Sequence, residues 1–261
     1  MCAGIQHAVA FLYGGIIMKK ELVASMIDHT LLAPEAGVKE ILATCADAKK
    51  YHFASVCINP IYVEKVAAEL AGSGVRVCTV VGFPLGTVPS EDKSDETLRA
   101  ISNGADEIDM VIPIGAARDG KFDEVESDIA AVVKAARKAG EKAGKKIIVT
   151  VILETCFLTD EMIAECCRRA KSAGADFVKT STGFANPKSA DGTLLPNGAT
   201  VHHVELMRST VGSSMGVKAS GGVRSAADAV HMLEAGANRL GTSNGVKIIE
   251  EWDESTPVKG Y

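Results

Sequence analysis

Two lysines stand where a buried strand would end, and a lysine in such a place is uncommon. Lys179 lies in the run 176–183, Asp-Phe-Val-Lys-Thr-Ser-Thr-Gly, and Lys218 lies in the run 216–224, Gly-Val-Lys-Ala-Ser-Gly-Gly-Val-Arg. Lysine is rarely buried without a partner, so both positions are candidates for chemistry. A neutral amine can attack a carbonyl carbon and form a Schiff base. Desolvation and a nearby cation would both favour the neutral form of Lys179, and Lys218 could supply that cation.

An aspartate offers a partner for both lysines. Asp109 lies in the run 107–112, Glu-Ile-Asp-Met-Val-Ile, and the two-residue period of a strand puts it on the same face as Glu107 and Val111. A carboxylate that faces the interior of a closed sheet needs a cation, and Asp109 could then orient or transfer a proton. A purely structural ion network is the alternative. Lysines at two consecutive strand ends favour the catalytic interpretation.

Small residues follow each lysine and recur once more near the C-terminus. The three runs are 181–183 (Ser-Thr-Gly), 220–222 (Ser-Gly-Gly) and 241–243 (Gly-Thr-Ser). Glycine lets backbone N–H groups approach an anion, and the loops after the last two strands of an α/β barrel are a common phosphate site. Tight turns between strands and helices would use the same residues. Taken together, the three runs favour a phosphate-binding rim.

These groups need a scaffold that brings several strand ends together, and the chain alternates accordingly. From about residue 27, short β-branched apolar runs alternate with longer segments of helical spacing. Eight strands are predicted over residues 27–29, 54–58, 76–81, 107–112, 147–153, 177–180, 217–220 and 239–242. Eight helices are predicted over residues 38–51, 61–70, 91–103, 122–139, 160–173, 201–210, 226–235 and 245–251.

This alternation predicts a parallel sheet that is covered by helices. Eight strand–helix units in 261 residues, with no linker to divide them, predict a single-domain (β/α)8 TIM barrel of the α/β class. Chemistry in such barrels sits at the carboxyl ends of the strands. Four polar residues fall there, namely Asp109, Glu154, Lys179 and Lys218.

Composition narrows the class of partner. The chain is 47% hydrophobic, which is enough for a full core, and its formal net charge is -5. A mildly acidic surface argues against nucleic acid or an anionic membrane as the main partner, so a small-molecule substrate is expected. The basic stretch 134–146 is interpreted as the solvated face of an outer helix, with a phosphate or nucleic-acid patch as the weaker alternative.

The cysteines indicate a reducing compartment. Their number is odd, their spacing is irregular and no CxxC motif occurs, so free thiols and a cytoplasmic location are expected rather than disulfides or a zinc site. The seven are Cys2, Cys45, Cys57, Cys78, Cys156, Cys166 and Cys167.

The first 17 residues do not fit the barrel pattern. Residues 8–17 are apolar, but their positive charges, Lys19 and Lys20, come after them. A signal peptide has the opposite order, and the run is too short to span a membrane. We expect residues 1–17 to be a non-essential extension and residues 18–261 to form the barrel domain.

Six motifs in the same order resemble the deoxyribose-phosphate aldolases, a family of class I aldolases that act through a Schiff base. The resemblance covers about residues 20–252, and no single motif would suffice for it. The motifs are IDHTLL (27–32), SVCINP (55–60), VGFPLG (81–86), EIDMV (107–111), VKTSTG (178–183) and VKASGGVR (217–224).

The resemblance implies the reversible cleavage of 2-deoxy-D-ribose 5-phosphate to D-glyceraldehyde 3-phosphate and acetaldehyde, in deoxyribose catabolism. It implies that Lys179 forms the imine, that Lys218 lowers the pKa of Lys179, and that Asp109 relays protons. Because the imine is the electron sink, it implies no metal and no organic cofactor. The substrate-binding residues that it implies are Asp28 and Cys57 at the pocket floor, with Thr182, Gly183, Gly221, Gly222, Gly241 and Ser243 around the phosphate.

Several alternatives stay open. Cys57 fits equally well as a small buried apolar side chain. The segment 185–192 is longer than a minimal turn, and Thr242 and Asn244 replace other small residues found in some family members, so the phosphate contacts are open. The barrel could be another Schiff-base aldolase of a phosphorylated sugar or keto acid, or a non-catalytic phosphosugar-binding protein. A homodimer or higher homo-oligomer is a further expectation.

Overall fold

Eight parallel strands close into a barrel in the computed structural model, which describes residues 10–12 and 15–258. Each strand pairs with the next along the chain, and the last pairs with the first. The predicted (β/α)8 barrel is thereby confirmed. The strands are β1 Ile27–Leu31, β2 Ser55–Ile58, β3 Arg76–Val81, β4 Glu107–Val111, β5 Ile148–Ile152, β6 Phe177–Lys179, β7 Gly216–Ser220 and β8 Arg239–Thr242.

A helix follows every strand and covers the outside of the barrel. The hydroxyl groups of Thr159, Thr200 and Ser225 cap three of these helices by accepting a backbone N–H of the first turn. The helices are α1 Val38–Tyr51, α2 Val63–Leu70, α3 Ser90–Ser102, α4 Phe122–Ala143, α5 Asp160–Ser172, α6 Val201–Val211, α7 Ala226–Glu234 and α8 Gly245–Glu251. Short helices at Lys20–Ala24 and Ile114–Arg118 are additional.

Helix α4 is longer than the sequence pattern predicts. The predicted end at residue 139 is wrong, because Gly140 stays within the helix and the chain ends it at Gly144 in a left-handed conformation with φ 66°. A Cβ atom on Gly140 would lie 2.6 Å from the carbonyl oxygen of Lys145. This glycine therefore permits the close return of the chain toward β5, which a pattern-based search cannot distinguish from a helix stop.

The pairing register of the strands sets the relative positions of the predicted catalytic lysines. Lys179 and Lys218 are direct partners across β6 and β7, and Lys218 is in turn the partner of Arg239 on β8. Strand β1 extends to Leu31, two residues beyond its predicted end. Side chains at equivalent heights on neighbouring strands thus share the barrel interior.

The termini meet at one side of the barrel. Strands Ala10–Leu12 and Gly15–Ile17 form an antiparallel pair, and the second also pairs with strand Pro257–Val258. The indole N–H of Trp252 donates to the carbonyl oxygen of Met18 at 2.9 Å. Part of the expected extension therefore lies against the C-terminal segment, and its dispensability stays a prediction.

The structure also bears on the state of the cysteines and on membrane-spanning helices. All cysteines in the described part of the chain have free thiols, and Cys2 lies outside that part. Over the described ranges, none of the helices combines the length and the apolarity that a membrane crossing needs.

Candidate active site

Lys179, Lys218 and Asp109 meet inside the barrel as the sequence analysis expects. Both ammonium nitrogens lie 2.7 Å from the same oxygen, Oδ2 of Asp109. All three side chains are nearly or fully buried. Burial alone would raise the pKa of Asp109, but the two lysines hold it below its usual value.

The two lysines differ in their number of carboxylate partners. Lys218 Nζ also lies 2.6 Å from Oδ2 of Asp28, whereas Asp109 is the one carboxylate in ion-pair contact with Lys179 among the described residues. Burial disfavours the ammonium form of Lys218, yet Asp109 and Asp28 together raise its pKa well above that of free lysine. Lys218 is therefore held as a permanent cation beside Lys179.

The ion pairs continue below the lysines. Arg239 Nε donates to Oδ1 of Asp28 at 2.8 Å, and Arg239 Nη2 contacts both carboxylate oxygens of Glu107 at 2.8 Å. The hydroxyl of Ser55 donates to the same Asp28 oxygen at 2.5 Å. Together the six residues Lys179, Asp109, Lys218, Asp28, Arg239 and Glu107 form one group, called here the buried charge cluster.

A cavity of about 570 Å³ opens above this cluster at the carboxyl ends of the strands. Lys179 lies at its base, and residues 30–35 form one side. The turns 182–184, 220–224 and 241–244 complete the lining and are called here the rim. The volume suits a ligand of the size of a pentose phosphate, since ligand pockets generally measure about 300–1,000 Å³.

One glycine of the rim makes room for the lysines. A Cβ atom on Gly241 would lie 3.0 Å from Ser220 Cβ, 3.3 Å from Lys218 Cε and 3.9 Å from Lys179 Cε. The hydroxyl of Ser220 in turn donates to the carbonyl oxygen of Ser181 at 2.5 Å. Any side chain at position 241 would crowd the path that Lys218 takes to the centre of the barrel.

Glu154 holds the first turn of the rim. Its carboxylate accepts hydrogen bonds from the backbone N–H and the hydroxyl of Thr182, and the Thr182 hydroxyl accepts from the N–H of Phe184 at 3.0 Å. Glu154 itself has φ 55°, a left-handed conformation that is uncommon outside glycine. Burial raises its pKa in spite of these hydrogen bonds. These contacts support a role for Glu154 in fixing the loop after β6.

The long segment between β6 and α6 is fastened back to the rim. Its end passes Gly198, where a Cβ atom would lie 2.5 Å from the carbonyl oxygen of Gly221, and the N–H of Ala199 donates to that same oxygen at 2.9 Å. Near its start, Phe184 packs edge-on against Phe83 with ring centroids 5.3 Å apart. The segment that is longer than a minimal turn is therefore packed tightly against the turn at Gly221.

Two cysteines approach Asp109 from neighbouring strands. The Sγ atoms of Cys57 and Cys78 and a carboxylate oxygen of Asp109 lie within 4.8 Å of one another, which is a spacing that a metal ion could use. A hydrogen bond to Cys57, burial and the charge of Asp109 raise the pKa of the Cys78 thiol well above its usual value, and metals bind the thiolate. Because Asp109 also carries two ammonium groups, these residues do not fit a metal centre.

The predicted residues divide into two levels. Lys179 and six of the predicted substrate-binding residues line the cavity, whereas Asp109, Lys218, Asp28 and Cys57 lie outside its lining. The six are Thr182, Gly183, Gly221, Gly222, Gly241 and Ser243.

Sequence reasoning missed the lower half of the buried charge cluster. Arg239 opens a buried strand, and a charged residue in such a place is the same signal that singled out the lysines. Glu107 was placed on the face of Asp109 but was given no role. Arg224, a second cation of the cavity wall, closes the motif 217–224, and the sequence analysis assigns it no role.

Comparisons with known proteins agree with this geometry. Residues 22–250 match the model of a family described as DeoC/LacD family aldolase. The chain is 52% identical over 230 residues to a deoxyribose-phosphate aldolase of Caldanaerobacter subterraneus subsp. tengcongensis, covering 88% of this chain and 93% of the relative. It is 54% identical over 224 residues to one from Streptococcus gordonii, covering 86% and 94%.

A solved structure shows the same fold. The chain superposes on a tetrameric deoxyribose phosphate aldolase from Aeropyrum pernix with a TM-score of 0.78 and 35% identity, and the match covers 89% of this chain and 91% of that one. The fold, the cavity and the sequence relatives thus agree on the same family of aldolases.

Proposed function

The chain belongs to the DeoC/LacD family of aldolases, and we propose that it reversibly cleaves 2-deoxy-D-ribose 5-phosphate to D-glyceraldehyde 3-phosphate and acetaldehyde. The reaction would proceed through an imine on Lys179 and would serve deoxyribose catabolism. The observation that carries the proposal is the unequal pairing of two adjacent lysines. Lys179 faces the cavity with one carboxylate partner, while Lys218 is fixed as a cation by two.

The first step is attack by the neutral amine of Lys179 on the C1 aldehyde carbon of the open-chain sugar. The carbinolamine loses water and becomes an iminium ion. The cation of Lys218 beside Lys179 favours the neutral amine, because two adjacent ammonium groups repel each other in a site with little water. Lys218 thus supports the nucleophile without lining the cavity.

The second step breaks the C2–C3 bond. A base removes the proton of the C3 hydroxyl, the electrons of the C2–C3 bond move into the iminium group, and an enamine forms as glyceraldehyde 3-phosphate leaves. Protonation of the enamine carbon and hydrolysis of the imine release acetaldehyde and restore the amine. Asp109, which contacts both lysines at 2.7 Å, is placed to relay these protons, with a water molecule bridging it to the substrate.

The rim is proposed as the phosphate site. Gly183, Gly221 and Gly222 have φ between 80° and 87°, so their backbone turns sharply toward the cavity in a conformation that disfavours side chains. The Arg224 side chain and Ser243 line the same wall and offer a charged and a neutral donor. An anion at this wall and an imine on Lys179 would share one cavity, as the proposed substrate requires.

Reductive trapping tests the proposal. Borohydride, added while the enzyme turns over deoxyribose phosphate, should fix the acetaldehyde-derived imine on Lys179, and peptide mass spectrometry should locate the added mass there. The variant K179R retains a cation and should give no adduct. An adduct on another lysine, or none in an active preparation, would contradict the assignment.

A substrate panel separates this reaction from those of other Schiff-base aldolases. Acetaldehyde should be the donor in the direction of synthesis, with glyceraldehyde 3-phosphate as acceptor. Turnover with pyruvate or dihydroxyacetone phosphate and none with acetaldehyde would favour a different aldolase. Ligand binding without any turnover would favour the non-catalytic barrel.

We also propose that the chain forms a homo-oligomer, since a relative of the same fold is a tetramer. Apolar side chains of the described residues Ile61, Leu85 and Leu194 are exposed and are available for such contacts. Light scattering at micromolar concentration should give a mass above that of the 27.3 kDa chain.

A further inference from the structure

The proposed reaction uses the upper part of the buried charge cluster and leaves its lower part without a role. Arg239 and Glu107 lie outside the lining of the cavity, and yet both are almost fully buried. Burying a charge is costly unless it is paired, and replacing a buried ion pair by apolar residues is often neutral or stabilising. A reason other than stability is therefore needed for charges at this depth.

Charges of opposite sign alternate through the barrel from the cavity to the far end. The order is Lys179, Asp109, Lys218, Asp28, Arg239, Glu107 and Arg76, and each member contacts the next. The last member, Arg76, lies 3.1 Å from Glu107 and its side chain is 51% exposed. The chain of contacts thus begins at the nucleophile and ends in solvent on the opposite side of the barrel.

Arg239 is the branch point of this chain. Its guanidinium group contacts Asp28 through Nε and both oxygens of Glu107 through Nη2, at 2.8 Å in each case. A lysine would offer a single charged nitrogen and could not hold both carboxylates with this geometry. Asp28 is thereby kept ionised and aimed at Lys218, its pKa lowered by Arg239 and Lys218 against the effect of burial.

We propose that Arg239 and Glu107 are positioning residues that act through Asp28 and Lys218 to set how readily Lys179 gives up its proton. This inference rests on the proposed role of Lys179 as the nucleophile. Within the cluster, water screens the charges poorly, so a charge removed at Arg239 or Glu107 must be felt at Lys179.

Other charged or titratable groups also face Lys179 and enter the same balance. Asp109 contacts Lys179 directly, and Lys218 contacts the same oxygen of Asp109. Glu154 interacts electrostatically with Lys179 from the end of β5. Cys57 and Cys78 adjoin Asp109. Glu35 and Arg224 lie further out, on the wall of the cavity. None of these side chains is replaced in a variant of Arg239 or Glu107, so their own charges are the same in every protein compared.

The two positions must act with opposite signs. Removing the positive charge in R239Q removes a repulsion on the ammonium form of Lys179, so the pH at which the amine becomes reactive should rise. Removing the negative charge in E107Q should lower it. At an effective dielectric constant of about 20, a unit charge at roughly 10 Å changes a pKa by about one unit, which sets the expected size of each shift.

The experiment measures the titration of Lys179 directly. Each protein is labelled with limiting acetic anhydride from pH 5 to pH 10, and peptide mass spectrometry gives the pH at which Lys179 is half reactive. This midpoint should move up by about one unit in R239Q and down by about one unit in E107Q. The acid limb of kcat/KM should move in the same directions, because it reports the free enzyme.

Three further variants separate positioning from structural damage. The double variant R239Q/E107Q leaves the sum of charges unchanged and should return the midpoint to within a few tenths of a unit of the wild-type value. R76Q alters a half-exposed side chain, where substitutions cost little stability, and it should shift the midpoint upward by less than R239Q. K247Q, an exposed charge on α8, should leave it in place.

The outcomes are distinct. Shifts in the same direction for both single variants, or no shift in folded R76Q, R239Q and E107Q, overturn the inference. Opposite shifts combined with no trapped adduct from deoxyribose phosphate would leave it standing and would overturn the proposed function instead. A trapped adduct with unshifted midpoints would support the proposed function and overturn this inference.

Discussion

Below the cavity, the side chains of the buried charge cluster are at most 9% exposed and every charge in it has a partner of opposite sign. Above it, the rim is built from glycine-rich turns whose contacts with a ligand would come mainly from the backbone. The cluster is linked by ion pairs between strands that are far apart in the sequence, whereas the rim is linked by hydrogen bonds within and between loops.

This difference teaches how one barrel separates reactivity from recognition. In the cluster, a single substitution changes a charge that little water can screen, so its effect spreads to the nucleophile. In the rim, a substitution changes one contact out of several, and water can replace part of what is lost. We therefore expect cluster variants to change kcat strongly and rim variants to change KM moderately.

The largest effect is expected for the nucleophile. K179M removes the amine that we propose forms the imine, so kcat should fall by about 10⁴-fold or more, as is usual when a covalent nucleophile is removed. A coupled assay of glyceraldehyde 3-phosphate release gives the rate. Unchanged thermal unfolding would serve as the control for folding, and residual activity within tenfold of wild type would contradict the assignment.

Loss of the proton relay should come next. D109N keeps the shape of the side chain and removes the charge between the lysines, so kcat should fall by roughly 10²–10⁴-fold, the usual range for general acid–base groups. Steady-state kinetics at several pH values measure it. A change confined to KM would place Asp109 among the binding groups instead.

At the rim, Arg224 should contribute to binding of the phosphate group alone. R224Q removes one charge-assisted contact, and KM for deoxyribose 5-phosphate should rise about tenfold, which corresponds to about 1.4 kcal/mol. The same variant should handle unphosphorylated 2-deoxyribose as the wild type does. An equal loss with both sugars would refute a phosphate contact.

A pH effect should separate the rim from the cluster. Burial raises the pKa of Glu154, so as pH falls its carboxylate takes up a proton earlier than a free glutamate and loses an acceptor for Thr182. KM for the phosphosugar should therefore rise severalfold as pH falls toward 5, while E154Q should show the raised KM at every pH. A wild-type KM that stays constant over this range would contradict the loop-fixing role.

The smallest effect is expected at the N-terminus. A chain that starts at Met18 loses strands Ala10–Leu12 and Gly15–Ile17 but keeps the hydrogen bond from Trp252 to Met18. Its kcat/KM should stay within about twofold of the full chain, since surface changes away from the site cost little. A larger loss would show that residues 1–17 are needed.

The barrel and the upper half of the cluster could be predicted because each leaves a local pattern. Alternating β and α segments mark the fold, and Lys179 and Lys218 are charges in runs that are otherwise apolar or small. Gly140 misled the helix boundary because the same residue serves as a helix stop and as a site of close packing. Periodicity carries no information on that choice.

The lower half of the cluster could not be predicted in the same way. The partnership of Asp28 and Arg239 depends on barrel closure, which joins positions 211 residues apart in sequence. The contact of Gly198 with Gly221 likewise depends on how a long loop returns across the rim. Such contacts are properties of the closed barrel and not of any window of residues.

The ion pair between Asp28 and Arg239 also has a consequence for the nascent chain during synthesis. Asp28 emerges from the ribosome near the beginning of synthesis, and Arg239 emerges close to the end, on the strand that seals the barrel against β1. A nascent chain that lacks β8 holds Lys179 but has neither Arg239 nor the turn at Gly241. Under the proposed mechanism, the environment of the Lys179 amine is therefore completed only when β8 closes the barrel, and we expect a chain that lacks β8 to form no imine with aldehydes.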